Sequence, residues 1–322
     1  MHEVLLCGDG LATAGCAQLL GNAGWQVFRD SERRAKLPAV LLNGASQRLM
    51  ADVFGGEELF AGLHRIERRV VRWGGETLVL PHEALVAPEE ELLQRVGSVG
   101  SAGDRGFYTI HGSRHGQEEY SFGSRVAEAV SVQLRESSDA HACWVEAVED
   151  GWLFGVAVGE GRAWLLSVGA GVEELLAQSC VLAKQVDCLA EERSRFAANP
   201  RIAKQLAGER WLACGGAALS FDPLCGEGTG HALREAILAS AVLKAVEAGE
   251  AAGPLQELYA SRLRGGFRRH LEQCRELYAG GGTSAWWKAE LASVEEGLRK
   301  IAREAQGPQR YRLLDFDLVA GG

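Results

Sequence analysis

The chain has 322 residues, of which 47% are hydrophobic and 24% charged, and carries a formal net charge of −9. That charge excludes sequence-independent nucleic-acid binding, which needs Lys and Arg to neutralise phosphates, and no run approaches the ~20 apolar residues needed to span a bilayer. No charged leader with a cleavage site precedes the first apolar run, and the eight cysteines form no CxxC pair and no zinc-type spacing with His, so a reduced, cytoplasmic protein without a metal site is expected.

In chain order, residues 3–7 (EVLLC) read as a buried strand ending in glycine, 11–23 as a small-residue helix packed on a sheet, and 25–30 (WQVFRD) as the next strand. A unit of about thirty residues is the size of a βαβ start. The pattern predicts a helix over 45–54, with Asn43 near its N-terminus as a cap. From 64 to 169 the alternation turns to period two: RIERRVVRW, ETLVL, GFYTI, RVAEAVSVQL, ACWVEAV, WLFGVAV and RAWLLSV read as strands, interrupted by a helix at 89–96. Gly74-Gly75, Asp150-Gly151 and Gly159-Glu160-Gly161 mark turns between several of them.

Helical periodicity dominates after 172, with helices expected over 228–247, 253–277 and 284–305. Among them WLACGGAAL (211–219) is a short strand breaking into a glycine-rich loop, and RYRLLDFDLV (310–319) reads as a closing strand. The basic run SRLRGGFRR, ending at Arg269, falls within the second of these helices and reads as a solvated face.

The expected class is therefore α/β with α+β character. Residues 1–63 and 172–322 would form a discontinuous Rossmann-like dinucleotide-binding domain with C-terminal helices, and 64–171 an inserted antiparallel β-sheet domain.

Two glycine motifs carry chemistry. In Gly8-Asp9-Gly10-Leu11-Ala12-Thr13, between a strand and a helix, Gly8 permits the turn and Gly10 lets a pyrophosphate approach the helix N-terminus. The usual third glycine is Thr13. Asp30 ends the second strand, 20 residues beyond Gly10, where an acid can bind an adenosine ribose hydroxyl. The second motif begins at Gly215-Gly216-Ala217-Ala218, passes through Asp222-Pro223 and reaches Gly228-Thr229-Gly230 at the start of a helix.

The second motif resembles the GDAA…DPxxGxG segment of flavoproteins such as p-hydroxybenzoate hydroxylase, geranylgeranyl reductase and the flavin-dependent halogenases. The middle of the chain (FGSR at 122–125 and the strands after it) is similar to the GoxB/LodB-type maturation flavoproteins and other halogenase-like oxidoreductases. The resemblance implies bound FAD. Gly215 would lie on the ribityl and pyrophosphate side, Asp222 and Pro223 would wall the flavin, and Gly228, Thr229 and Gly230 would supply amides that stabilise negative charge on the reduced ring. The Asp of GDAA is replaced by Gly216, which removes a charged acceptor worth about 1.5–3 kcal/mol. Neither the superfamily's DG motif nor the WxWxIP signature of tryptophan halogenases is recognisable, and no lysine is placed for halogenation, so that activity is not expected.

Arg48 and Gln47 could reach the pyrophosphate, His82 and His111 could face a substrate, and Trp152 could line a planar pocket. No catalytic acid or base can be named. The resemblance implies a monooxygenase- or reductase-like enzyme acting on a small organic molecule or a peptide, with NAD(P)H bound only transiently. The alternative is a degenerate binding or maturation partner with weak or no flavin turnover.

Overall fold

Two large sheets organise the chain, one built from short strands with buried apolar centres and the other mostly from longer alternating ones. The computed structural model describes residues 2–30, 34–104, 106–114, 116–302 and 311–320.

The first sheet runs in the order β15 (Ala207–Gly208), β16 (Trp211–Ala213), β7 (Tyr108–His111), β1 (Glu3–Cys7), β2 (Gln26–Asp30) and β6 (Ser101–Ala102). All neighbours are parallel except β15 and β16. Parallel strands are covered on both faces, and Val4, Leu6, Ile110, Leu212 and Ala213 are accordingly buried. Helix α1 (Leu11–Asn22) packs against α5 (Gly228–Glu247) so closely that a Cβ on Gly15 would come within 2.9 Å of the Ala236 Cβ.

The second sheet runs β13 (Val186–Ala197), β9 (Val126–Leu134), β12 (Arg162–Gly169), β11 (Gly151–Gly159), β10 (Ala142–Val148), β4 (His64–Trp73), β5 (Glu76–Ala87) and β3 (Val40–Asn43). It is antiparallel except where β10 meets β4. Gly74 and Gly75, with φ of 73° and 112°, close the β4–β5 hairpin as a two-residue turn that only glycine adopts freely. Helix α4 (Val172–Gln178) covers part of this sheet with Val172 and Leu175.

Helix α2 (Gly44–Phe54), capped by the Asn43 side chain, packs against α1 and α5, and α3 (Glu89–Val96) follows β5. The long α6 (Ala252–Gly281) and α7 (Ala285–Ala302) pair and reach the second sheet. There Trp73 Nε1 donates to Leu277 O at 2.8 Å and Trp287 Nε1 to Val148 O at 2.9 Å. A small sheet joins β8 (Glu119–Ser121), β14 (Arg201–Ala203) and β17 (Leu219–Ser220). The hairpin β18 (Tyr311–Leu314) and β19 (Asp317–Ala320) docks on α5, where Lys244 Nζ donates to Phe316 O at 2.8 Å. No helix among the described residues is long and apolar enough to cross a membrane.

Sheet membership crosses the 63/64 and 171/172 positions in three places. β3 belongs to the second sheet, β7 to the first, and β13 returns to the second after the point where helices were expected to take over. β13 was hidden because it is an edge strand rich in charge, as edges commonly are. The closing strand is instead a hairpin turning at Asp315, with φ of 51°. Its first residue, 310, and the helix end at 303–305 lie outside the described residues.

Candidate cofactor site

Four parallel strands of the first sheet end in one row. Cys7 of β1 stands opposite Asp30 of β2 and His111 of β7, and His111 stands opposite Ala213 of β16. The chain leaves β1 toward β2 on one side and later returns to its other side as β7, so the strand order reverses beside β1. In an open parallel sheet, the crevice beyond the strand ends at such a reversal is where ligands bind.

Each of three strands runs into a glycine within two residues of this row, at Gly8, Gly112 and Gly215, and the three loops interlock. Gly8 has φ of 119°, and a Cβ there would lie 2.6 Å from Ser113 Oγ. Gly112 N–H donates to Cys7 O at 2.7 Å, Cys214 N–H to His111 O at 2.7 Å, and Ala217 N–H to Gly112 O at 3.2 Å. A Cβ on Gly215 would meet the Ala12 Cβ at 2.8 Å. The middle loop, 111–113, carries no fingerprint in the sequence. Its signal is only a short strand running into glycine.

Thr13 has a physical account. Its Oγ1 donates back to Gly10 O at 2.9 Å, and its Cγ2 lies only 2.2 Å from where a Gly112 Cβ would stand. The side chain that replaces the third glycine is therefore accommodated by a glycine on β7's loop.

The first turn of α1 has no side-chain cap and no acidic residue, so no side chain of that turn occupies the amides of Leu11, Ala12 and Thr13. Gly10, with φ of −97°, is not in a glycine-only conformation; a Cβ there would meet only Arg34 Nη2, at 3.2 Å. Arg34 is ion-paired with Glu89, and Lys36 with Asp9. Asp30 is exposed at the β2 end of the row, while its carbonyl accepts Gly8 N–H at 2.9 Å.

The first turn of α5 is likewise uncapped by any side chain. It begins at Gly228, continues through Thr229 and packs Gly230 against α2, where a Cβ would lie 3.2 Å from Ser46 Oγ. On α2, Arg48 is exposed, whereas Gln47 is committed to the backbone, its Nε2 donating to Leu42 O at 2.8 Å. Gly216 is exposed, its carbonyl held by Arg201 Nη2 at 2.8 Å, and a Cβ there would stand 3.3 Å from Gly112 O.

Beneath the third loop, Glu235 is buried and accepts Gly215 N–H at 2.7 Å. Burial pushes its pKa up to about 8, with the Gly215 amide pulling the other way. Nothing in the local sequence marks this residue.

Asp222 does not offer its carboxylate to a flavin. It is 1% exposed and is committed to Arg125, to Tyr278 Oη at 2.8 Å and to Leu224 N at 2.9 Å. Arg125 also donates to Glu290 at 2.7 Å, so one buried guanidinium ties the second motif to α7. Pro223 follows as the first residue of a 3₁₀ turn, Pro223–Cys225, and stays partly exposed.

Trp152 is 1% exposed, and its Nε1 donates to Tyr278 Oη at 3.1 Å. His82 lies in the second sheet, 3.1 Å from Arg69, while His111 sits in the row of strand ends beside Trp211. The cysteines, scattered in sequence, are partly gathered by the fold: Cys225, His270 and Cys274 bring their donor atoms within 4.8 Å of one another.

No family model and no curated protein matches the chain. Solved structures do. The peptidyl tryptophan dihydroxylase QhpG, essential for tryptophylquinone cofactor biogenesis, superposes with a TM-score of 0.75 at 20% identity, over 90% of this chain and 78% of its own. CmlS, a flavin-dependent halogenase, gives 0.75 at 14% identity over 94% and 70%. PqsL, a probable FAD-dependent monooxygenase from Pseudomonas aeruginosa, gives 0.67 at 14% identity over 94% and 99%. The fold of this chain is that of the flavin-dependent halogenases and monooxygenases.

Proposed function

We propose that the protein is an FAD-dependent oxidoreductase of the monooxygenase type. The observation that carries this reading is the single row of strand ends, Asp30–Cys7–His111–Ala213, with three interlocked glycine loops and the uncapped N-terminus of α1 beyond it. An elongated dianionic dinucleotide matches that arrangement. Its pyrophosphate would lie at Gly10 on the amides of Leu11, Ala12 and Thr13, and its adenosine ribose at Asp30. Arg48 would supply positive charge from α2, the Gly215–Gly216 loop would run beside the ribityl chain, and Gly228, Thr229 and Gly230 would face the pyrimidine edge. Bound there, the flavin supplies the redox chemistry, and the chain's part is to hold it, orient it and exclude water.

Gly10→Val is the discriminating variant. Its backbone conformation is open to any residue and the added atoms meet only the end of a flexible arginine, so the protein folds while the phosphate approach is filled. The expected result is an unchanged melting temperature without FAD and loss of the FAD-dependent rise. A folded Gly10→Val protein that keeps stoichiometric FAD overturns the assignment.

Gly216 favours a second reading, a maturation or binding partner for a peptide with little flavin turnover, since the acceptor for a ribityl hydroxyl is missing. Position 216 is exposed, so Gly216→Asp directs a carboxylate outward once Gly112 O yields slightly. Tighter FAD binding by about 1.5–3 kcal/mol in that variant supports the flavin site. A colourless protein whose melting temperature ignores FAD in both forms supports the partner reading.

A further inference from the structure

The geometry points to a second redox centre, independent of the flavin reading: Cys225 and Cys274 as a thiol–disulfide exchange pair. Cys225 ends the 3₁₀ turn after Asp222 and is partly exposed, whereas Cys274 is fully buried on α6. Their sulfurs lie 3.8 Å apart, and Cys274 Sγ lies 3.4 Å from Nε2 of His270, one helical turn away on the same helix. Gly226, in the left-handed region with φ of 64°, follows Cys225 and ends the turn.

The pair divides the labour that exchange requires. The contact with Cys274 lowers the Cys225 thiol, against burial and the Asp222 charge. The same contact, together with burial, pushes Cys274 well up. An accessible thiolate beside a buried protonated thiol is an attacking and resolving pair. Cys225 thiolate attacks one sulfur of a small disulfide, forming a mixed disulfide and releasing one thiol. Cys274, giving up its proton, then displaces the second thiol and closes the Cys225–Cys274 bond. Two protein thiols are oxidised and one external disulfide is reduced to two thiols.

A zinc ion would also suit two sulfurs and an imidazole. Two contacts favour exchange instead. Nε2 of His270 already accepts Asp222 N–H at 2.8 Å, so its lone pair is engaged. Nor is Asp222 a spare fourth ligand, since both carboxylate oxygens are bonded.

The test uses the reduced full-length protein, equilibrated with oxidised glutathione, alkylated and mapped by mass spectrometry. The expected product is a cross-linked peptide pair carrying Cys225 and Cys274, lighter by the two hydrogens lost and restored by excess reductant. In Cys274→Ser, a glutathione adduct should accumulate at Cys225 from trace to near-stoichiometric yield because nothing resolves it. In Cys225→Ser, Cys274 should stay a free thiol. The inference is overturned if the wild-type protein takes up glutathione at the exposed Cys180 and Cys188 while Cys225 stays free. It is equally overturned if the purified protein carries stoichiometric zinc that shields both thiols until it is chelated.

Discussion

At the scale of single residues, the cofactor crevice rests on exchanges of one methyl or one proton. The Thr13–Gly112 contact predicts a rescue. Gly112→Ala should cost about 1–3 kcal/mol by overpacking, because its Cβ falls 2.2 Å from Thr13 Cγ2. Removing that methyl in Thr13→Ser leaves Cys7 O at 3.2 Å and the Thr13 Cβ at 3.6 Å, so the double variant should recover much of the loss, short of the tight backbone contact, in a double-mutant cycle of urea melts. Additive losses would mean that the two side chains do not meet. Glu235 predicts a pH effect. Its folded pKa, about 8, lies above the usual 4.5, so the folded state binds the extra proton between those values. Stability is therefore highest below that window and falls as pH rises through it. Thermal melts at steps from pH 5 to pH 8 should show a decline in the wild type that is smaller in Glu235→Gln. Of these residues, Gly8, Gly10, Asp30 and the glycines from 215 to 230 are legible in the sequence, because a strand–glycine–helix order is a local signal. Gly112 and Glu235 are not, because their roles come from what the fold sets beside them.

At the scale of elements, the junction of the second motif with the C-terminal helices is held by charge as well as by apolar packing. Arg125, at the entry to β9, pairs with Asp222 before the 3₁₀ turn and with Glu290 on α7, all three buried. Cutting such a network from one side strands the remaining charges in the interior. Arg125→Ala should cost about 3–5 kcal/mol, read by chemical denaturation, and should loosen α7 before β1, read by hydrogen exchange. A loss below about 1 kcal/mol, the range of exposed pairs, would show that water reaches the site. The elements themselves were largely readable: α1, α2 with its Asn43 cap, α3 and the strands β9 to β12 stand where periodicity and turn glycines put them. β13 was not, since a charged edge strand shows little alternation. Neither was the turn that divides β18 from β19, which rests on a non-glycine residue, Asp315, at positive φ.

At the scale of the molecule, the two sheets are threaded through each other rather than joined end to end. β7 is supplied to the first sheet from within the segment that builds the second, and β3 and β13 cross the other way. Joining residues 1–63 directly to 172–322 removes β7 from between β1 and β16, so that chain should fail to give a cooperative melt, while the intact protein should unfold in one calorimetric transition. Two separated transitions in the intact chain would refute the interdependence. The threading also sets a timetable for synthesis. β1 leaves the ribosome first, but its far neighbours β16 and α5 follow only after more than two hundred residues. At about 5–20 residues per second that is a wait of roughly ten to forty seconds. Throughout it, Val4, Leu6 and the apolar face of α1 have no finished sheet to close on, which makes the nascent chain a client for holding chaperones and an early stop codon anywhere before α5 a source of aggregate rather than of a smaller working protein.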